Sequence, residues 1–200
     1  MIDIFTIGYS TYSIETFINT LKKYSITALV DVRSSPYSKF KPDFNRETLQ
    51  TMLKKNNIDY VFLGELCGAR TDDRSCYKNG KVDFKIVATS TKFQNGIDRI
   101  KKGASKYTVA LMCAEKDPIM CHRFVLICRN LKSNNINIIH ILDNGETEKQ
   151  IDSESRLLKQ HKMDQPELFR TDDQRLDDAY DLQGAKIAYK EVEEDNENEN

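Results

Sequence analysis

Short apolar runs alternate with amphipathic stretches along this chain, and the alternation predicts its secondary structure. Five runs rich in apolar and β-branched residues predict strands at 2–7, 26–32, 58–63, 107–112 and 136–142. Between them, apolar positions recur at helical spacing and predict helices from residue 13, over 46–56, within 85–102 and from residue 117. We therefore expect one α/β domain with a mainly parallel, roughly five-stranded sheet and flanking helices.

Charge divides the chain into two parts. Residues 1–150 carry 23 Lys and Arg against 16 Asp and Glu, whereas residues 151–200 carry 7 against 15. From residue 171 the chain is also poor in apolar side chains, so we expect a folded domain over 1–170 and an acidic, disordered tail over 171–200. A basic domain with an acidic tail favours a phosphorylated or polyanionic ligand, whose site the tail would screen. In the alternative, the tail serves solubility alone.

Membrane and export signals are missing from the apolar pattern. No apolar run approaches the roughly twenty residues of a membrane span, and the first residues lack the basic start of a signal peptide. The five cysteines do not follow the spacing of a disulfide framework, which indicates reduced thiols. We expect a cytoplasmic protein without a membrane partner, and the pattern leaves its oligomeric state open.

The densest cluster of reactive side chains follows the fourth predicted strand. It comprises Cys113, Glu115, Cys121, His122 and Arg123. Asp and Pro at 117–118 are typical of a helix start, so the cluster should lie where α/β proteins bind ligands. A thiol near a helix N-terminus and a cation ionises more readily, so Cys113 is a candidate nucleophile, with Glu115 or His122 as acid or base. In the alternative, Glu115 carries acid–base chemistry and the thiol supports it.

Further polar groups follow the other strands. They are Tyr9 and Ser10 after the first strand, Asp31 and Arg33 after the second, and Arg70 after the third. The carboxyl ends of parallel strands share one edge, so we expect Arg33, Arg70 and Arg123 to meet there and bind an anion such as phosphate. Asp31 would then orient Arg33 or act as a second base. The alternative is a structural ion pair between Asp31 and Arg33, with Arg70 on the surface.

The loop at 34–44 mixes basic and aromatic residues around Ser38. Aromatic faces stack on bases while lysines contact phosphates, a pairing typical of proteins that bind single-stranded or extruded nucleotides. In the alternative, Phe40 and Phe44 only anchor the loop. The glycine-rich phosphate loops of nucleoside triphosphatases and nicotinamide dehydrogenases do not occur in the sequence, which argues against both classes.

A metal site is a competing hypothesis. Cys113, Cys121 and His122 can bind zinc, with Cys67 or His140 as a fourth ligand. Neighbouring positions on a helix, however, point about a hundred degrees apart, so Cys121 and His122 are expected to diverge. We therefore expect no metal and no other cofactor, and we expect His140 to be a hydrogen-bonded strand histidine.

Distinctive segments stand at the predicted strand ends. They are TIGYS (6–10), DVRSSPYS (31–38), LGELCGAR (63–70), MCAE (112–115) and CHR (121–123). In composition and order these segments resemble the motifs of the domain of unknown function 488 family, and the similarity extends over about 1–169. The family commonly has glycine where Cys67 and Ala69 stand. The resemblance implies a single cytoplasmic α/β domain with a polar active site, and it implies no particular reaction.

These observations lead to one functional prediction. We expect a metal-independent enzyme that acts on a phosphorylated substrate, a nucleotide or nucleic acid, by thiol or acid–base chemistry. The predicted catalytic residues are Cys113, Glu115, His122 and Asp31, and the predicted ligand-binding residues are Tyr9, Ser10, Arg33, Ser38, Arg70, Cys121 and Arg123. The alternatives are a nucleic-acid or nucleotide binding module without turnover, and a thiol redox or zinc-dependent protein.

Overall fold

A computed structural model describes residues 1–191 of the chain. Its strands are β1 (Ile2–Gly8), β2 (Ala28–Asp31), β3 (Asp59–Phe62), β4 (Tyr77–Lys78), β5 (Lys81–Val82), β6 (Val109–Cys113), β7 (Ile136–Ile141) and β8 (Thr147–Lys149). Its α-helices are α1 (Ile14–Lys23), α2 (Arg46–Lys55), α3 (Gly64–Cys67), α4 (Phe84–Thr89), α5 (Thr91–Ala104), α6 (Arg129–Leu131), α7 (Gln150–Gln160) and α8 (Asp172–Ile187). Within this described range, no helix is both long enough and apolar enough to cross a membrane.

The central sheet has the strand order β3-β2-β6-β1-β7-β8. Its first five strands are parallel, and β8 joins β7 in the antiparallel direction. The five predicted strands and the mainly parallel sheet are thus confirmed. β8 escaped the prediction because it has only three residues, Thr-Glu-Lys, and none of them is apolar. β4 and β5 form a separate two-stranded hairpin.

The position of β6 between β1 and β2 brings three strand ends together. The register pairs Gly8 of β1 with Cys113 of β6, and Asp31 of β2 with Met112 of β6. All five residues of β6 are buried, as expected for a parallel strand that is covered on both faces. Cys113 therefore lies at the middle of the carboxyl edge of the sheet.

Alternate residues of the parallel strands point into two different helical layers. On one face, Ile7 and Met112 pack with Phe17 in the layer formed by α1 and α2. On the other face, Leu111 and Cys113 belong to the core formed with α5 and the segment after β6. Cys113 thus faces the layer that carries the second thiol of the cluster.

The segment after β6 is broken where the sequence predicted one continuous helix. Asp117 caps a short 3-10 turn, Pro118–Met120, by accepting a hydrogen bond from the N–H of Ile119. Cys121 then has an extended backbone, with φ −132° and ψ 143°, before a π-helical turn over Arg123–Cys128 leads into α6. Because Cys121 is not helical, its side chain is not held a hundred degrees away from that of His122.

The predicted tail contains a docked helix. The side chain of Thr171 caps α8, and Ala179, Tyr180 and Gln183 of α8 are buried. The prediction of disorder from residue 171 was wrong for α8. The few apolar residues of this helix lie on one face, and several of its acidic residues form ion pairs with basic side chains. Arg129, for example, forms ion pairs with two aspartates of α8. Residues 192–200 of the predicted tail lie outside the described residues.

Candidate functional site

Two glycines allow the loops at the carboxyl edge to approach one another. A Cβ atom at Gly8 would lie 1.8 Å from the carbonyl oxygen of Glu115, and one at Gly64 would lie 1.9 Å from that of Arg33. Only glycine permits such contacts. The backbone N–H groups of Tyr9 and Ser10 also donate to the carbonyls of Cys113 and Ala114, at the end of β6, at 3.1 and 3.0 Å. The expected convergence of strand ends is therefore present, and glycines in two of the segments make it possible.

Cys113, Cys121 and His122 form what we call the thiol centre. Nδ1 of His122 lies 3.6 Å from Sγ of Cys113 and 3.8 Å from Sγ of Cys121. The three atoms all lie within 4.8 Å of one another, and the three residues are buried. The expected divergence of Cys121 and His122 was therefore wrong, because the extended backbone at Cys121 turns its thiol toward the imidazole.

The other ring nitrogen of His122 has a fixed partner. Nε2 lies 3.1 Å from the backbone carbonyl oxygen of Val32, at the end of β2. A carbonyl can only accept, so Nε2 carries the hydrogen, and in the neutral ring Nδ1 presents its lone pair to the two sulfurs. The negative charges of Cys121 and Glu115 outweigh burial and raise the pKa of His122.

Glu115 connects the thiol centre with solvent. Its Oε2 atom lies 3.2 Å from Sγ of Cys113, while the residue as a whole is exposed. The carboxyl group is thus turned back toward the thiols. Its partial desolvation, together with the nearby charge of Cys121, raises the pKa of Glu115. Of the cluster residues predicted from the sequence, Glu115 is the one that a substrate can reach directly.

Arg123 is completely buried and holds the loop above the thiol centre. Its Nη1 donates to the carbonyl oxygen of Glu115 at 2.6 Å, and its Nη2 to that of Lys116 at 3.3 Å. Its Nε donates to the hydroxyl of Thr6 at 3.4 Å. These partners are neutral oxygens, and a buried cation needs a compensating negative charge nearby. Arg123 therefore favours an ionised thiol in the centre beside it.

The surroundings of the two thiols shift their pKa values in opposite directions. Burial alone would raise the pKa of Cys121, but a hydrogen bond from Cys113 and the guanidinium of Arg123 outweigh it and hold the pKa well below its usual value. The backbone N–H of Arg123 also donates to Sγ of Cys121 at 3.5 Å. The hydrogen bond to Cys121, followed by burial, raises the pKa of Cys113. Cys121 is therefore the more acidic thiol of the pair.

Asp31, Arg33 and Tyr60 form a separate group that we call the β2-end cluster. Arg33 donates to the Asp31 carboxylate through Nε at 2.9 Å, Nη2 at 2.6 Å and its backbone N–H at 3.1 Å. Tyr60 donates a further hydrogen bond at 2.8 Å. Asp31 is fully buried, so this geometry corresponds to the structural ion pair that the sequence left as the alternative. Nη1 of Arg33 is the buried atom of this cluster that has no hydrogen-bond partner among residues 1–191.

The remaining predicted ligand residues have different surroundings. Tyr9 is buried and stacks on Phe44, with ring centroids 4.5 Å apart, and its face also contacts the Arg33 guanidinium. Ser10 is exposed. Arg70 is exposed and stacks on the ring of Tyr189, 4.2 Å from its centroid. The three arginines predicted to share one anion site are thus engaged with three different sets of partners.

The loop at 34–44 combines an anchor with an exposed tip. Phe44 is 1% exposed, whereas Phe40 is 95% exposed and Tyr37 is 55% exposed. The hydroxyl of Ser38 accepts hydrogen bonds from the backbone N–H groups of Phe40 and Lys41, both at 3.2 Å. Ser38 therefore stabilises the turn at the loop tip. Phe44 is an anchor of the loop, as the alternative expected, whereas Phe40 is exposed to solvent.

A chain of buried polar side chains extends from Arg123, beside the thiol centre, toward α7 and α8. The sequence did not reveal these residues as a unit. Thr6 donates to Nδ1 of His140 at 2.8 Å, and Nε2 of His140 donates to Gln150 at 2.8 Å. Gln150 donates to Tyr180 at 2.6 Å, and Tyr180 donates to Glu154 at 2.9 Å. Burial and the charge of Arg123 lower the pKa of His140 to about 4, so its ring is neutral.

The sequence carried one signal for this chain. Thr6 and His140 stand opposite each other in the β1–β7 register, and each is a polar residue between two apolar neighbours. Their partners on α7 and α8 are not signalled by any local pattern. The expectation that His140 is a hydrogen-bonded strand histidine is confirmed.

A family model, described as domain of unknown function DUF488, matches residues 13–129. The chain belongs to this family. The match spans the β2-end cluster and the thiol centre of this DUF488 protein, and it ends before β7. No curated protein and no solved structure matches the chain. The DUF488 description names no reaction, so the functional argument depends on the geometry of the site.

Proposed function

We propose that this DUF488 protein is an enzyme that acts on a phosphorylated substrate, a nucleotide or nucleic acid, at the carboxyl edge of its sheet. The observation that carries the proposal is the position of Glu115, an exposed residue whose carboxyl group lies 3.2 Å from a buried thiol. A carboxyl group at the mouth of a reactive cluster can give and take protons.

The burial of the thiols favours Glu115 as the group that meets the substrate. Cys113 and Cys121 are 4% and 1% exposed, and His122 is 6% exposed. Glu115 is the exposed member of the cluster and is therefore the group that meets the substrate in this proposal. The role of Cys113 as a nucleophile stays a prediction, and in the present proposal Glu115 transfers the proton.

The exposed tip of the loop at 34–44 supports the choice of substrate. Phe40 and Tyr37 present ring surface to solvent, and Lys39 beside them is exposed. Base–aromatic stacking contributes about 1–3 kcal/mol per base, and a neighbouring ammonium group favours phosphate. The positive balance of residues 1–150 acts in the same direction.

A substrate screen with matched variants tests this function. The full-length protein is incubated with nucleoside mono- and triphosphates and with single-stranded DNA and RNA oligonucleotides, and products are resolved by chromatography. Glu115→Gln should lower turnover about a hundredfold or more and leave substrate affinity nearly unchanged. Glu65→Gln, which removes another exposed carboxylate after β3, should retain activity.

Oligonucleotide affinity provides a second readout. Phe40→Ala should weaken binding of single strands about tenfold, in line with the loss of one stacked base. Tyr107→Ala is the control, because Tyr107 is 45% exposed and precedes β6 at the opposite edge of the sheet. Binding without turnover of any substrate would contradict the enzyme proposal and establish the binding module. Neither binding nor turnover would reject both.

A further inference from the structure

We infer that the thiol centre binds a divalent transition metal of the zinc class through Sγ of Cys113, Sγ of Cys121 and Nδ1 of His122. The inference goes beyond the proposed function and does not depend on it. It replaces the expectation of a metal-free site, which assumed that Cys121 and His122 lie on one continuous helix.

The spacing of the donor atoms fits a tetrahedral ion. Zinc binds thiolate at about 2.3 Å and imidazole at about 2.0 Å, so a sulfur and a nitrogen on one tetrahedral ion lie about 3.5 Å apart. The observed separations from Nδ1 of His122 are 3.6 Å to Cys113 and 3.8 Å to Cys121. All three donor atoms also lie within 4.8 Å of one another, so they can surround a single ion.

The hydrogen bonds around the imidazole have the form found at metal sites. A histidine that ligates a metal usually donates its other ring N–H to a carbonyl or carboxylate, which fixes the tautomer and the orientation of the ring. Nε2 of His122 donates to the carbonyl of Val32 at 3.1 Å. This bond directs the free lone pair of Nδ1 at the two sulfurs.

The charge balance of the surroundings is also suitable. Two thiolates and a divalent ion sum to zero, and the positive charge of Arg123 is then balanced by the negative charge of Glu115. The backbone N–H of Arg123 donates to Sγ of Cys121, as expected for a ligand thiolate. The guanidinium itself contacts only the neutral oxygens of Thr6, Glu115 and Lys116.

The ligand number indicates a reactive metal rather than a structural one. Structural zinc sites use four protein ligands, whereas catalytic sites use three and keep a position for water or substrate. The carboxyl group of Glu115 lies 3.2 Å from Sγ of Cys113 and belongs to an exposed residue, so it can act as acid or base toward a group bound at a fourth position. The geometry thus pairs a three-ligand site with an adjacent acid or base.

Metal analysis of the intact protein tests the site. The full-length chain is purified without chelators and analysed for metals, and we expect about one zinc per chain. Cys121→Ser and His122→Ala should each reduce the zinc content at least tenfold. Cys67→Ala is the matched control, since it removes a buried thiol outside the centre and should keep the metal.

Cobalt substitution of the unaltered protein covers the case in which those variants do not fold. Protein stripped with a chelator should bind Co²⁺ one to one and develop a thiolate-to-cobalt charge-transfer band with the intense visible bands of tetrahedral cobalt. Less than about a tenth of a metal per chain, together with no thiolate–cobalt band, would overturn the inference. Zinc binding without any turnover would reject the proposed function and keep the site, whereas turnover by protein that binds neither zinc nor cobalt would do the reverse.

Discussion

The ends of β2 and β6 lie side by side, and each holds a buried polar cluster, yet the two clusters are satisfied in different ways. In the β2-end cluster, the carboxylate of Asp31 accepts hydrogen bonds from Arg33 and Tyr60, and the opposite charges meet within the cluster. In the thiol centre, the Nδ1 lone pair of His122 faces two sulfurs. Beside it, the guanidinium of Arg123 donates its hydrogen bonds to neutral oxygens.

This difference separates a cluster that stabilises the fold from one that has capacity for a ligand. A buried ion pair whose opposite charges already meet has little charge left to offer a ligand, although removing one partner is costly. A group of donor atoms without an internal cation retains that capacity. Sequence motifs at strand ends look alike in both cases, so the hydrogen-bond partners decide between them.

The largest expected effect concerns the β2-end cluster. Asp31→Asn should lower the free energy of unfolding by about 3–5 kcal/mol, because it leaves the buried guanidinium of Arg33 without a counter-charge. Denaturant unfolding measures the change, and Asp59→Asn, at an exposed position of β3, should have almost no effect. A loss below about 1 kcal/mol for Asp31→Asn would show that the Asp31–Arg33 pair does little for stability, and Arg33 would then be assigned to ligand binding.

The buried polar chain predicts a pH dependence of folding stability, because it contains the buried His140. The unfolded chain protonates His140 near pH 6.5, whereas the folded protein does so only at about 4. A group whose folded pKa is depressed makes folding less favourable as the pH falls through this window. His140 should therefore cost up to about 3 kcal/mol of stability between pH 7 and pH 4.

A substitution isolates this contribution from those of the carboxylates that titrate in the same range. Unfolding curves of the natural protein and of His140→Gln, recorded at several pH values, should show a clearly smaller loss of stability on acidification in the variant. Equal slopes for the two proteins would mean that His140 is already charged or that water reaches it in the folded state.

A moderate effect is expected for the hydroxyl of Tyr60. Tyr60→Phe removes a hydrogen bond to the charged Asp31, and such bonds contribute about 1.5–3 kcal/mol. Tyr24→Phe removes a bond to the neutral carbonyl of Gly145 and should cost less, about 0.5–1.5 kcal/mol. Parallel thermal unfolding of both variants compares the two, and the reverse order would show that Asp31 is not ionised.

The smallest effect on stability is expected for Glu115. Glu115→Gln should change the free energy of unfolding by about 0.5 kcal/mol or less, because the residue is exposed and an amide oxygen can still accept the hydrogen bond from Cys113. Chemical denaturation of the same preparation that serves the activity measurements provides the value. A loss of several kcal/mol would make Glu115 part of the structural framework and remove the contrast between the clusters.

Some features of the site could be predicted because they depend on local pattern. Fully apolar strands such as β6 require cover on both faces, and parallel strands bring their carboxyl ends to one edge. These two rules suffice to bring Gly8, Asp31 and Cys113 into neighbouring positions. The docking of α8 could not be predicted in this way, because its acidic composition resembles that of a disordered segment and Arg129 compensates it from outside.

The sequence by itself determined the α/β class, the five parallel strands and the set of reactive residues at their ends, because apolar periodicity and strand direction are local properties. Only the tertiary structure decided which of those residues act together. The convergence of Cys121 and His122 depends on one extended residue between two short helical turns. The pairing of Thr6 with His140 joins positions 134 residues apart. Contacts of this kind depend on how layers pack around the sheet, and packing is not encoded in any short stretch of chain.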